Sequence, residues 1–218
     1  LGHDLRNPLA AVVTTAGILA RRPGADDQRL GQRLRNSTRR MGGLLDNILD
    51  FAQARLGSGL GVEIRTAESL AAALASVVDE ARGANPGREV REAIRVNTPV
   101  ACDTARLQQL LSNLLGNAFY HGADGLPVSV DVGVRGEMLE MSVRNGGAPI
   151  AEADLPKIFQ PYWRPATSKP GGGLGLGLFI CSEIVKAHGG TLGVTSSVDD
   201  GTRFTACIPV NSAGPHAA

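Results

Sequence analysis

The chain has 218 residues, is 43% hydrophobic and 20% charged, and carries a net charge of +1. That length supports one or two domains with a sizeable core, and the charge balance gives no footprint for nucleic acid or a membrane surface as partner. Cys102, Cys181 and Cys207 lack pairing or metal-ligand spacing, which fits a cytoplasmic protein without disulfides, and no apolar run reaches the ~20 residues of a bilayer span.

The first stretch, "LGHDLRNPLA", sets His3 beside Asp4 and one turn before Asn7 and Pro8. A chain that starts inside such a stretch is expected to be the C-terminal part of a longer protein. From Leu5 onward Leu5, Leu9, Val12, Ala16 and Leu19 step by four and three, which predicts a helix with a narrow apolar seam that excludes His3. "RRPGADD" interrupts the pattern, and Leu30, Leu34, Ser37, Met41, Leu44, Ile48 and Phe51 resume it in a second helix. Two such seams are not buried within one hairpin. They predict a homodimer closing a four-helix bundle, the alternative being that both helices lie on the following domain.

"GSGLG" at 57–61 predicts a linker, after which the pattern becomes mixed. A helix is expected over Ala67 to Arg82, a strand in "REVREAIRV", and a helix in "TARLQQLLSNLLGNAFYHG" with Asp103 as its N-cap. "VSVDVGV" and "EMLEMSV" alternate with period two around Arg135 and Gly136, hence a hairpin. "LFICSEIVKAHGG" predicts a helix closed by glycine, and "TLGVTS" with "RFTACIPV" a final hairpin. These elements make a mainly antiparallel sheet with helices on one face, a two-layer α+β sandwich.

Asn113 and Asn117 share one face of the leucine-rich helix, and Tyr120 and His121 continue it. Two such amides form either a solvated polar stripe or oxygen ligands for Mg²⁺ carrying a polyphosphate. In "VRNGGAPI" the glycine pair after Asn145 lets the chain turn and a flat ligand come close, although most such pairs are only turns. "PGGGLGLGLFI" runs Gly171, Gly172, Gly173, Gly175 and Gly177 into a helix, a backbone suited to wrapping phosphate. Its spacing is neither the P-loop nor the dinucleotide fingerprint.

In order, "GHDLRNPL", "NLLGNAFYHG", "NGGAPI", "LPKIFQPYWR" and "GGLGLGL" resemble the phospho-acceptor, asparagine, first glycine, phenylalanine and second glycine boxes of bacterial sensor histidine kinases, loosely the bacteriophytochrome type. The resemblance reaches about Val210. It implies a dimerisation and phosphotransfer hairpin at 1–57, a catalytic ATP-binding domain at 62–211 of the type shared with gyrase and a chaperone ATPase, and a tail at 212–218. By the same resemblance His3 is the phosphorylated residue, Asp4 its base or orienting partner, and Asn7 the residue that orients a water for dephosphorylation of a response regulator. Asn117 is implied as the Mg²⁺ ligand and Asn113 as its phosphate-side neighbour. Asn145 and Gly147 are implied to read adenine, and Gly173, Gly175 and Gly177 to border the phosphates, with Lys169 in a nucleotide lid. Tyr120, His121, Leu178 and Thr202 complete the implied binding residues. The implied cofactors are ATP and Mg²⁺, and the implied partners are a second copy and a response regulator receiver domain.

Two positions depart from the family pattern. Asn145 stands where aspartate is usual, and a neutral acceptor weakens the adenine bond by roughly 1 kcal/mol. Tyr120 stands where many relatives carry a cation. The resulting alternatives to the kinase are a phosphatase-biased module and a nucleotide-degenerate dimerisation scaffold.

Overall fold

A computed structural model describes residues 12–21, 24–165 and 173–211, with no description of the side chains at 25, 32, 35, 36, 39, 40, 57 and 58. His3, Asp4, Asn7, Lys169 and the expected tail lie outside the described residues. The chain divides into two compact units, Leu1–Gln53 and Ala54–Ala218.

In the first unit, α1 covers residues 12–19 and α2 is Ala25–Gln53. The two approach closely where Gly31 faces Ala16 and Ala20: a Cβ on Gly31 would collide with the Ala20 backbone nitrogen and stand 2.8 Å from Ala16 O. Glycine is required there by contact, because both neighbours are backbone. Ala16 and Thr38 are buried, and the Thr38 hydroxyl donates to Leu34 O at 2.8 Å. Seam residues Val12, Leu30, Met41 and Ile48 are 45–57% exposed in the single chain.

The second unit begins with a π-helical turn, Ala54–Ser58, and continues through β1 (Arg65–Ala67), α3 (Leu70–Ala84), β2 (Val90–Arg95), β3 (Val100–Cys102), α4 (Thr104–His121), β4 (Val128–Arg135) and β5 (Met138–Asn145). It ends with α5 (Gly177–Ala187), β6 (Thr191–Ser197) and β7 (Gly201–Pro209). The main sheet has the order β2-β4-β5-β7-β6, antiparallel except for the parallel pair β2 and β4. The helix expected from Ala67 starts at Leu70 instead, because Arg65–Ala67 pairs antiparallel with Val100–Cys102.

Alternation along the strands sends Val128, Val130 and Val132 of β4, Leu139, Met141 and Val143 of β5, and Phe204, Ala206 and Ile208 of β7 to the buried face. Helix α4 covers that face with Leu107, Leu110, Leu111, Leu114 and Leu115, all at most 1% exposed, and α3 and α5 pack beside it. Each buried leucine or phenylalanine contributes about 1.5–3 kcal/mol, which makes α4 the most firmly held helix in the unit. Its N-terminus is capped as its sequence predicts: Asp103 Oδ1 accepts from Arg106 N at 3.1 Å.

Candidate active site

Helix α4 carries Asn113 and Asn117 on the flank not used by its leucines, and both are half-buried. The Nδ2 of Asn113 is buried without a hydrogen-bond partner among the described residues. A Cβ on Gly177, the first residue of α5, would lie 3.9 Å from the Asn113 carboxamide. No side chain among the described residues caps α5, so its first amide groups and the orphaned amide of Asn113 meet in one place. Donors of this kind are costly when left dry and suit an anion.

The turn before α5 depends on Gly175. Its φ is +73°, and a Cβ there would stand 2.7 Å from Trp163 O and 2.9 Å from Tyr162 C. Tyr162 also has a positive φ, 63°, and its N–H donates to Gly175 O at 3.0 Å. This bond ties the end of the phenylalanine-box segment to the glycine segment. Gly173 is exposed, while Gly177 and Leu178 are half-buried at the start of α5.

At the far end of α4, Asn145 ends β5 and is 4% exposed. Its Nδ2 donates to Gly146 O at 3.2 Å, which leaves Oδ1 as an acceptor without a donor among the described residues. Gly147 has φ +138°, and a Cβ on it would press within 3.0 Å of Ala123 N. Thr202 lies opposite Asn145 in the β5–β7 register and is 6% exposed. Its hydroxyl is 2.7 Å from Ser196 Oγ, which accepts from Ile150 N at 2.9 Å, so the strand ends and the loop after Gly147 form one polar cluster.

Tyr120 and His121 continue the α4 face with their rings edge to face, centroids 4.7 Å apart. His121 is kept below the usual imidazole range, first because burial around the ring disfavours charge and second because Arg164 repels a proton. Cys181 on α5 is buried, and its thiol is pushed far up by that burial, against a smaller opposing influence of the Asn113 amide, for which the thiol is too poor an acceptor to count as a hydrogen-bond partner. It is therefore an inert packing group.

Arg88 and His188 are absent from the sequence expectations, although both are deeply placed. His188 is 1% exposed; its Nδ1 lies 2.8 Å from Ile184 O, and Asp103 N donates to its Nε2 at 3.1 Å. These partners fix a neutral ring with the proton on Nδ1. Asp103 Oδ2 also accepts from Glu63 N at 2.9 Å, so one aspartate joins the segment before β1, the start of α4 and the end of α5.

Residues 102–212 match the family "Histidine kinase-, DNA gyrase B-, and HSP90-like ATPase", and residues 1–57 match "His Kinase A (phospho-acceptor) domain". The chain belongs to this ATPase family and, with both domains present, to the catalytic modules of two-component sensor histidine kinases. The bacteriophytochrome of Pseudomonas aeruginosa is 35% identical over 98% of this chain, which spans 29% of that protein. Sensor histidine kinase TrcS of Mycobacterium tuberculosis is 34% identical over 95% of the chain, which spans 42% of TrcS. Among solved structures, full-length ShkA in complex with AMPPNP matches with a TM-score of 0.69 at 25% identity, covering 98% of this chain and 45% of ShkA. The catalytic domain of histidine kinase ThkA matches at 0.58 and 25% identity, over 68% of this chain and 96% of that domain.

Proposed function

We propose that the chain binds ATP, phosphorylates its own His3 and passes the phosphoryl group to an aspartate of a response regulator receiver domain. The observation that carries the reading is the pair of incompletely partnered carboxamides, a donor at Asn113 beneath the uncapped start of α5 and an acceptor at Asn145 at the end of β5. They suit the phosphates and the adenine amino group of one nucleotide. In the transfer, an imidazole nitrogen of His3 attacks the γ-phosphorus, the bond to the bridging oxygen breaks and ADP departs. Asp4 accepts the hydrogen bond of the other ring nitrogen, which keeps the attacking nitrogen unprotonated. Asn7 serves the reverse flow by orienting water against the regulator's phosphoryl group.

No group of three His, Cys, Asp or Glu side chains among the described residues could hold a metal. Asn117 would hold Mg²⁺ through its amide oxygen, and the ion would supply neutralisation of phosphate charge. Gly173, Gly175 and Gly177 are proposed to border the phosphates and Gly147 to serve the base with Asn145, while Tyr120, His121, Leu178, Thr202 and Lys169 are proposed to complete the nucleotide-binding residues. The exposed seam residues Val12, Leu30, Met41 and Ile48 supply the surface on which a second copy closes the bundle. No helix among the described residues is long and apolar enough to cross a membrane, and the module is proposed to work in the cytoplasm.

Incubation with γ-labelled ATP tests the assignment. Acid-labile label on the wild-type chain and none on His3→Gln is the expected result; label persisting on His3→Gln removes His3 from the mechanism.

The neutral Asn145 favours a second reading in which kinase flux is low and the phosphatase direction dominates. Asn145→Asp is expected to tighten ATP binding about fivefold, the equivalent of the roughly 1 kcal/mol gained by a charged acceptor. Without nucleotide the same change lowers the melting temperature by a few degrees, because a buried carboxylate then replaces the donor that Gly146 O uses. Titration calorimetry and a thermal melt check both signs.

A further inference from the structure

We propose that Arg88 is a positioning residue for base recognition: it holds the C-terminal turn of α4 against the segment that reads adenine. The inference rests on the nucleotide reading above. The Arg88 side chain is 14% exposed and lies over the Phe119 ring, 6.0 Å from its centroid. Its Nη1 donates to Gly122 O at 3.4 Å and faces Asp124 Oδ1 at the same distance. Asp124 is fully exposed, so that ion pair is screened by water and holds little.

Gly122 is the point of contact. A Cβ there would stand 2.8 Å from Arg88 Nη2 and 3.2 Å from Asn145 Cβ, so the guanidinium and the adenine-reading residue bound the same glycine. The next residue continues the connection, since Ala123 N donates to Gly146 O at 2.9 Å. The space that a Cβ on Gly147 would need is closed by Ala123 N and, at 3.3 Å, by His121 O. A shift of the 121–123 turn therefore shifts Gly146 and Gly147, and with them the lone acceptor on Asn145.

Arginine is a poor residue here for stability alone. Nε and Nη2 are buried without an acceptor among the described residues, and a methionine would cover Phe119 without that penalty. What only the guanidinium supplies is a planar group that lies over Phe119 and at the same time donates from Nη1 to Gly122 O at the end of α4. A side chain that costs stability beside a binding segment marks a place where placement of the segment outweighs packing.

Arg88→Met and Arg88→Lys in the full chain separate placement from packing. Affinities for ATP, GTP and inorganic tripolyphosphate are measured by displacement of a fluorescent nucleotide, together with thermal melts. Arg88→Met is expected to melt within about 3 °C of wild type and to keep its tripolyphosphate affinity. Its preference for ATP over GTP is expected to fall about tenfold, as for other small misplacements of a binding group. Arg88→Lys, which keeps a donor but loses the plane over Phe119, is expected to fall between. A folded Arg88→Met with an unchanged ATP:GTP ratio overturns the proposal, as does a lowered melting temperature with the ratio intact. Should the methionine variant fail to fold, an Arg88→Lys ratio equal to wild type overturns it equally. Failure of the wild-type chain to bind ATP overturns the nucleotide reading itself, a result distinct from either of these.

Discussion

Gly201→Ala is expected to lower the stability of the Ala54–Ala218 unit by about 3 kcal/mol and to weaken nucleotide binding with it. Two costs combine at this position. Gly201 has φ +70°, a left-handed conformation that charges any residue with a Cβ about 1–2 kcal/mol. The added carbon would also collide with Asn145 O and lie 2.9 Å from Gly146 Cα, and crowding of this kind costs about 1–3 kcal/mol. Both obstacles are backbone atoms of Asn145 and Gly146, the segment proposed to read adenine, so the chain relaxes only by moving that segment. Urea denaturation is expected to show a lower midpoint at unchanged slope. Gly193→Ala in the neighbouring strand is the control: its nearest obstacle is Thr205 O at 4.0 Å, and its stability should stay close to wild type.

His188→Ala is expected to cost a similar amount, about 3 kcal/mol, from a cavity and two lost hydrogen bonds. The ring bridges Ile184 O and Asp103 N, so its removal loosens the start of α4 and the end of α5 together. His188→Gln, able to donate and accept, should recover part of the loss. The same geometry sets a pH dependence. Burial, the largest influence, keeps His188 below its ordinary value of 6.5, against an opposing hydrogen bond to Ile184 O and the carboxylate of Asp103; Arg106 adds to the lowering. Because the folded chain resists protonation, the unfolded chain binds the proton first as pH falls. Stability from His188 is therefore complete above about pH 6.5 and declines below it, levelling once the folded ring is itself protonated. Chemical denaturation of wild type and His188→Gln between pH 7.5 and 5 checks the sign: the wild-type slope should be the steeper.

The parts of this fold that were legible in the sequence are those whose signal is local and repeated. Helix α4 shows Asp103 at its cap and leucines at helical spacing, and those same leucines are the buried ones. Strands β4 and β5 alternate over eight residues each, long enough for the period to stand out. Strands β1 and β3 have three residues apiece and are held by pairing with each other and, at Ala101, by a bridge to Asn211, which no period of two can announce. Within the candidate site, Asn145 and Gly147 were marked by a glycine pair, and Asn113 and Asn117 by their spacing. Arg88 and His188 had no such mark. Their partners lie 34 and 85 residues away, and an isolated arginine or histidine reads as an ordinary surface residue until the tertiary contacts are known. The apolar spacing of α2 predicts what a second helix pair could cover, and four of its seven seam positions, Leu30, Ser37, Met41 and Ile48, remain exposed within one chain.

The bond from Tyr162 N to Gly175 O, 3.0 Å long, has a consequence in chain statistics. It fastens Tyr162 to Gly175, so inserting or removing residues between these two anchors alters a loop-closure cost. Closure entropy grows only with the logarithm of length, and doubling such a loop costs about 0.6 kcal/mol. A change in the number of residues between Tyr162 and Gly175 is therefore expected to cost the domain little. Variation in length there is thermodynamically cheap, whereas a single carbon added at its anchored end, Gly175, is not.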